Sequence, residues 1–500
     1  MARLALLLVS ACLLASAPVR AVAQERDLAG QSQHGKTLMA AGRYGEAAAV
    51  YRDLVQALPG NAGLLLNLGM ALHMAGQDRD AVPQFEAALR LQPDLMPATL
   101  LLGAAQMRLG RPAAAVVPLR KAVGLQPDSG EARSMLADAL LALERYAEAE
   151  PHLRRLSTLA PSEPAVWFSL GRAYEELAGE AFAELLKRDP ESPFALALVA
   201  DVRRKQDQRT AAFQLYRLAL ERRPGLRGLH AAVAGIYRAA GYSDWARVED
   251  EKEKRLPPAD CARDVLECAF AAGRHRDVAA RAAKLQTAEA SYWRARAYNE
   301  LATESFGRLA ALPPSPQSHE WLARGARNEE RYGESVEQWR RAIALAPSDP
   351  RLRMELAVTL RLARDFSGAQ PVLEALVREL PDVPEANYFL GDVLLAQEQP
   401  ERALPFLEKS VRLEPNEPQA RGALGRAYAL VGRPAEAIPH LQQALAADTD
   451  GSLRYQLARS YQAAGRPDEA QAALRDYEAF RKAAQEQARA AAAAAAITPP

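Results

Sequence analysis

Residues Ala62 to Leu95 read AGLLLNLGMALHMAGQDRDAVPQFEAALRLQPDL, and the next 34 residues, Met96 to Ser129, read MPATLLLGAAQMRLGRPAAAVVPLRKAVGLQPDS. Leu68, Gly69, Leu72, Ala81, Phe85, Ala88 and Pro93 stand at positions 7, 8, 11, 20, 24, 27 and 32 of the first stretch. Leu102, Gly103, Ala115, Leu119, Ala122 and Pro127 take the same places in the second, and Gln106 at position 11 departs from the pattern. Self-similarity at this period marks an all-α solenoid of helical hairpins, in which each unit buries its apolar stripe only against its neighbours.

The period extends in both directions. Upstream, Leu28 to Asn61 carries Gly35, Ala47, Tyr51 and Pro59 on the same frame. Downstream, Gly130 to Glu163 carries Leu136, Ala137, Leu140, Ala149, Leu153 and Pro161. A later group comprises Pro316–Asp349, Pro350–Val383, Pro384–Glu417, Pro418–Asp450 and a last unit from Gly451 with Ala458, Tyr461, Gly465 and Ala470. In each unit helix A is expected over about positions 2 to 14 and helix B over about 17 to 30. Position 15 is often Gly (Gly42, Gly76, Gly110, Gly432, Gly465), which lets the backbone turn with positive φ. Small residues at 8, 20 and 27 allow close helix approach, and larger ones at 7, 11 and 24 fill the grooves. Pro at 32 ends helix B. Pro83, Pro151, Pro371, Pro405 and Pro439 at position 22, with Pro118 at 23, are expected near the first turn of helix B, where a missing N–H costs least.

The middle of the chain breaks the frame. Arg172 to Phe182 reads RAYEELAGEAF and Arg296 to Phe306 reads RAYNELATESF, with eight of the eleven positions identical. Both stretches have lost five residues, including the turn between helix A and helix B, so each predicts one long helix, roughly Ala165–Lys187 and Ala290–Ala311. Between them lie one regular unit (Pro193–Leu226), a worn one from Arg227, and a charged run, Glu249 to Arg255, expected to be a solvated helix end. Pro257-Pro258 is the strongest internal break. At the other end, Glu469 to Ala496 lacks Gly and Pro and extends the last unit as a helix; Ile497 to Pro500 are expected to fray.

The N-terminus predicts a signal peptide over 1–23: Arg3, an apolar core from Leu4 to Ala17, and Ala21-Val22-Ala23 before Gln24. Val9-Ser10-Ala11-Cys12 is similar to a lipoprotein box, but the apolar stretch before Cys12 is short and continues beyond it. Removing Arg3 and Arg20 with that segment takes the formal charge from +1 to −1. A balanced charge argues against nucleic acid as partner, and no apolar run in the mature body approaches a membrane-spanning length of about 20 residues. Export would place Cys261 and Cys268 in an oxidising compartment. On one helix, their seven-residue spacing means a rise of about 10 Å, too far to bridge. With Cys261 in the turn after Pro257-Pro258 the pair can close, and the plainer reading is two buried apolar residues on one helix face.

Catalytic and metal constellations are not legible. His34, His73, His152, His230, His275, His319 and His440 are scattered with no metal-ligand spacing, and His152 and His440 share position 23, read as a helix-surface place. No G-x-S-x-G elbow or phosphate loop occurs, and no cofactor is implied. The chain is therefore read as a non-enzyme.

These positions match the tetratricopeptide repeat pattern, which the chain resembles over nearly all its mature length. Trp167, Leu170, Gly171 and Tyr174 reproduce its W-x-x-L-G-x-x-Y start almost in full. The whole resembles exported all-repeat tetratricopeptide proteins of bacteria. The resemblance implies an α-solenoid of helix-turn-helix repeats in a right-handed superhelix, whose concave face, lined by helix A positions 2, 5, 9, 12 and 13, holds peptides or partner helices. Carried onto this chain, those positions include Leu66, Met70, His73, Met74, Leu100, Met107 and Arg108, an apolar, Met-containing strip with a basic edge. In the later array they include Met354, Arg361, Tyr388, Asp392, Arg426, Tyr455 and Gln462, a more polar lining. The Lys/Asn carboxylate clamp of some relatives is not matched, since Ser32 and Lys36 stand at positions 5 and 9 of the first unit.

The expected organisation is a signal peptide (1–23), an N-terminal array (28–163), an irregular middle module with two long fused helices (164–315), a C-terminal array with capping helix (316–483) and an Ala-rich tail (484–500). The expected function is an exported scaffold, periplasmic or secreted, that binds proteins or peptides and organises an envelope assembly. A subunit of an envelope enzyme complex and a purely structural spacer are the alternatives.

Overall fold

A computed structural model describes residues 28–493 and 497–500. The expected signal peptide and Cys12 lie outside the described residues, as do 494–496 of the Ala-rich tail. The protein is an all-α repeat solenoid, and no strand occurs among the described residues. It divides into two compact units, one ending at Leu177 and the other running from Ala178.

The first unit holds α1 (28–40), α2 (Tyr44–Ala57), α3 (Ala62–Met74), α4 (Asp78–Leu91), α5 (Met96–Arg108), α6 (Pro112–Leu125), α7 (Gly130–Ala142) and α8 (Tyr146–Leu159). The division falls inside α9 (Pro164–Arg188). The second unit continues with α10 (Pro193–Lys205), α11 (Arg209–Arg222), α12 (Leu229–Ala239), α13 (Ser243–Arg255), α14 (Val265–Ala271), α15 (His275–Ala282) and α16 (Ala288–Ala310). Its later hairpins are α17 (Pro316–Asn328), α18 (Tyr332–Leu345), α19 (Pro350–Leu362), α20 (Phe366–Glu379), α21 (Pro384–Ala396) and α22 (Pro400–Leu413). They are followed by α23 (Pro418–Leu430), α24 (Pro434–Ala444), α25 (Ser452–Ala463) and α26 (Pro467–Ala493).

The hairpins close because position 8 of helix A meets position 24 of helix B. A Cβ placed on Gly69 would come within 2.6 Å of the Phe85 ring, and one on Gly103 or Gly391 within 2.5 Å of Leu119 or Leu407. Phe85, Leu119 and Leu407 are each fully buried, so a missing methyl on one helix is what admits the large side chain of the other. Each such burial stabilises by roughly 1.5–3 kcal/mol.

The turn between the helices is left-handed at position 15 whatever residue stands there. Gly42, Gly76, Gly110, Gly432 and Gly465 adopt positive φ, and so do Glu144, Asp207, Glu330, Arg364 and Glu398, at 57° to 61°. The residue after it closes the end of helix A, as when Gln77 N–H donates to the Leu72 carbonyl at 2.8 Å. For the five non-glycine residues this conformation costs about 1 kcal/mol each, and hairpin closure imposes it. Position 34 caps the next helix A: Asn61, Ser129, Ser192, Ser315 and Asp349 each accept a backbone N–H there through their side chains.

The recurring helix B prolines lie deeper than expected. Pro83, Pro151, Pro371, Pro405 and Pro439 are each the sixth residue of their helix, past the first turn. All five stand away from the buried core, so the carbonyl left without an intrahelical donor can turn to water.

The fused stretches are single helices, α9 and α16, with ends close to the expected ones. In the second unit α16 packs back on α10 through Phe194 and Tyr292, ring centroids 5.2 Å apart, and its Arg294 pairs with Glu184 of α9. The charged run is not simply a solvated end. Glu249 on α13 is 2 % exposed and receives His230 Nδ1 at 2.5 Å and Lys252 Nζ at 2.7 Å. Cys261, in the loop after Pro257-Pro258, is disulfide-bonded to Cys268 on α14, with the two Cα atoms 5.6 Å apart. Ile497 packs against the core around Tyr237 instead of fraying.

His152 and His440 are not plain surface residues either. Each Nδ1 accepts from an Arg at position 4 of its own repeat, Arg133 and Arg421, at 3.3 Å. Because Arg only donates, each imidazole is neutral in this arrangement. Burial, with Arg133 and Arg120 nearby, holds the His152 imidazole below its ordinary value, and burial with Arg421 does the same for His440. The unfolded chain therefore takes up these protons first. Their contribution is intact above about pH 6.5 and is lost as the pH falls from there towards the lowered folded values. Thermal melts at pH 7.5, 6.5 and 5.5 should show a destabilisation that shrinks in the His152→Gln/His440→Gln variant. An identical pH dependence in that variant would remove the two histidines from the account.

Candidate binding groove

In the first unit, the A-helix face carries Leu66 and Met70 partly buried and Met74 48 % exposed on α3, with Met107 partly buried on α5. Leu100 is buried at 8 % exposure and serves packing, so it does not line the strip. The expected basic edge is also taken into the fold. The buried His73 meets Asp78 through Nδ1, and Arg108 donates through Nε to the other Asp78 oxygen at 2.6 Å and through Nη2 to the His73 carbonyl. Beside the Arg108 side chain, which stays 46 % exposed, Leu66, Met70, Met74 and Met107 form an adaptable apolar strip.

In the second unit, three successive A helices bring predicted residues together. Asp392 on α21 receives Arg361 Nη1 from α19 at 3.2 Å and Arg426 Nη2 from α23 at 3.0 Å. Arg361, Asp392 and Arg426 stand at repeat positions 12, 9 and 9, so stacking adjacent repeats aligns them on one face. Two guanidinium groups thus converge on one carboxylate. The Nε atoms of Arg361 and Arg426 are buried with no hydrogen-bond partner among the described residues. Tyr388 stands beside them, and burial together with the Asp392 carboxylate pushes its hydroxyl up to about 12. Arg361, Tyr388, Asp392 and Arg426 line a polar cavity of about 450 Å³ that Asp448 and Ser452 help to close. Asp448 is engaged by Arg454 Nη1 at 2.8 Å and by two backbone N–H groups, and Asp450, which also lines the cavity, accepts the Ser452 N–H at 2.9 Å.

A second cavity of about 550 Å³ is lined mainly by apolar side chains, among them Met354, Val358, Leu376, Leu380, Val383 and Phe389. Arg361 joins the two cavities, since its guanidinium lies 5.2 Å from the centre of the Phe389 ring. This combination of apolar wall and few polar groups is typical of ligand-sized recesses. Tyr455 is not part of either cavity; it is 42 % exposed and its ring lies 5.4 Å from Tyr477 of α26. Sequence reasoning missed Phe389, Leu376, Leu380 and Val383, which belong to position 6 of one helix A and to the end of the preceding repeat. The period itself held the signal, because it places the end of each helix B against the next helix A.

Among the described residues, no group of three or more His, Cys, Asp or Glu is placed to hold a metal ion. No described helix is long and apolar enough to cross a membrane.

Family profiles described as tetratricopeptide repeat match residues 38–94, 107–173, 360–427 and 394–452. Two more of the same description match 75–130 and 322–369, and 451–476. Together they span 38–173 and 322–476, more than half of the chain. No curated protein matches the sequence. Among solved structures, the chain is similar to MamA MSR-1 C2 at 20 % identity, over 34 % of this chain and 98 % of that one, with a TM-score of 0.30. It is similar to TTC0263, a thermophilic TPR protein of Thermus thermophilus, at 26 % identity over 36 % and 98 % of the two chains, with a TM-score of 0.29. Similarity to the APC/C hetero-tetramer Cut9–Hcn1 covers 85 % of this chain and 95 % of that one, at 13 % identity and a TM-score of 0.30.

Proposed function

The chain belongs to the tetratricopeptide repeat family, and from that premise we propose that this interaction scaffold is exported and organises an envelope assembly by holding extended peptide segments of its partners. The observation that carries the peptide reading is the Arg361–Asp392–Arg426 cluster beside the Phe389 cavity. A segment with a large apolar side chain and, a few residues along, a carboxylate suits both recesses. The apolar group fills the recess over Met354 and Phe389. The carboxylate meets the Arg361 and Arg426 guanidinium groups, whose Nε atoms have no hydrogen-bond partner among the described residues, and charge-assisted hydrogen bonds are the strong ones. The Met70/Met74 strip of the first unit offers a second, softer surface. Export is supported by the pattern of residues 1–23 and by the Cys261–Cys268 bond, which persists in an oxidising compartment.

Panning the chain against a random peptide library tests the groove. Wild type should enrich peptides of the stated chemistry, and the Arg361→Ala/Arg426→Ala variant should bind them about tenfold or more weakly. An unchanged enriched set would overturn the assignment. Met70→Glu/Met74→Glu should weaken capture of partners by the first unit without unfolding it, and unchanged capture would remove that strip from the reading. Fractionation of expressing bacterial cells, with the processed N-terminus sequenced, tests export.

A further inference from the structure

The second unit holds a non-helical segment of its own chain, Ile497–Pro500. Tyr237 Oη on α12 donates to the Thr498 carbonyl at 2.6 Å, and Arg217 Nη1 on α11 donates to the Pro499 carbonyl at 3.5 Å. Ile497, one residue earlier, packs against the buried core cluster of the second unit to which Tyr237 belongs. Both polar contacts reach main-chain carbonyls, so they do not require a particular side chain at those two residues. Prolines suit such a segment, because they hold the backbone extended before binding and lower the ordering cost.

The receiving surface holds the Tyr237 ring between other aromatic rings. Tyr237 is fully buried, with its ring 5.4 Å from Phe213 and 5.5 Å from Trp245, which fix the direction of its hydroxyl. Trp245 in turn stacks on Tyr242 at 4.3 Å. The hydroxyl of a fully buried ring is therefore spent on a segment 261 residues away in sequence. Neither the repeat frame nor the groove around Asp392 uses Tyr237 or Arg217 for a ligand.

We propose that the α11–α12 surface around Tyr237 and Arg217 is a second peptide-binding site, selective for an extended apolar-x-Pro segment, and that the chain's own Ile497–Pro500 occupies it in cis. A partner bearing a similar segment binds there only by displacing this one. Tethering keeps the local concentration of the internal segment in the millimolar range, so the site is closed to weak competitors and open to strong or abundant ones.

The test uses the full chain with p-benzoylphenylalanine in place of Pro500. Irradiation should cross-link this position to peptides of α11 and α12 in a single chain, with a yield independent of protein concentration. Tyr237→Phe keeps the ring and its packing and removes only the hydroxyl, and the yield should fall. Arg217→Ala should act in the same direction, and the two together should lower the yield roughly fivefold. Free Ala-Ala-Ile-Thr-Pro-Pro peptide at millimolar concentration should compete with the cross-link in a dose-dependent way. Cross-links scattered over other helices, or formed between two copies and rising with concentration, would overturn the proposal. So would an α11–α12 cross-link indifferent to both substitutions and to the peptide.

Discussion

Gly391→Val should destabilise the C-terminal array by about 3 kcal/mol or more, at the upper end of what overpacking a core costs, and should abolish peptide capture there. The Cβ alone would stand 2.5 Å from both Cγ and Cδ2 of Leu407, closer than any real carbon contact, and the two valine methyls would reach further. Leu407 cannot retreat, because it is fully buried within the cluster that runs from Ala323 to Ala470. The strain must therefore pass into the spacing of α21 and α22. Tyr388 and Asp392 flank Gly391 on α21, so any shift of that helix also moves the polar cavity. The same repeat position holds Ala357 opposite Leu373 in the preceding hairpin, both fully buried, so a single methyl is compatible with the architecture where the helices are set slightly apart. Gly391→Ala should accordingly be milder, at about 1 kcal/mol. Adding Leu407→Ala to Gly391→Val should recover part of the loss, with a coupling of about 1 kcal/mol or more between two residues in direct contact. Chemical denaturation of these three variants and of Leu407→Ala alone measures this. Additive losses, or a Gly391→Val chain as stable as wild type, would mean that the position 8 to position 24 contact does not set hairpin spacing.

That contact was legible in the sequence because it repeats. A residue type recurring at one position, such as Gly at 8 opposite a large side chain at 24, reports a local geometry that every hairpin shares. The long helices α9 and α16 were legible for the same reason, since a missing turn shows as a deletion against a known frame. Arg361, Asp392 and Arg426 could be placed on one face by counting positions. What escaped notice depends on the third dimension or on a single copy. Glu144, Asp207, Glu330, Arg364 and Glu398 are left-handed because hairpin closure demands it, with no help from the residue itself. Glu249 lies in a run of charges, and only the approach of His230 from α12 shows that it is buried. The Phe389 cavity forms between the end of one repeat and the start of the next, a junction that a single-repeat template divides. The docking of Ile497 joins segments with no shared period at all.

Asp78→Ala should cost about 3 kcal/mol, the lower end of the penalty for breaking a buried ionic network, although Asp78 occupies no position of the repeat consensus. Asp78 opens α4, where the helix N-terminus favours a carboxylate. Its side chain is only 7 % exposed and is met by His73 from α3 and by Arg108 from α5, so one carboxylate ties three helices and two repeats. Burial alone would push its pKa up; hydrogen bonds from Arg108 and His73 more than offset this and hold the carboxyl below the usual carboxylate range. Its stabilisation is therefore present above the unfolded value near 3.8 and is lost as the pH falls through the lower folded one. The alanine variant leaves His73 buried without its partner, and it frees Arg108 from both Asp78 and the position that holds the His73 carbonyl. Because the Arg108 side chain is 46 % exposed and can turn to water, Arg108→Ala should cost much less, about 1 kcal/mol. Urea unfolding of the two variants separates two roles for His73 and Arg108. If they tie the hairpins together, Asp78→Ala is the more damaging change, and its effect fades as the pH falls below 3.8 through the lowered folded value. If they belong instead to a peptide groove, Asp78→Ala leaves stability untouched and Arg108→Ala weakens ligand capture alone.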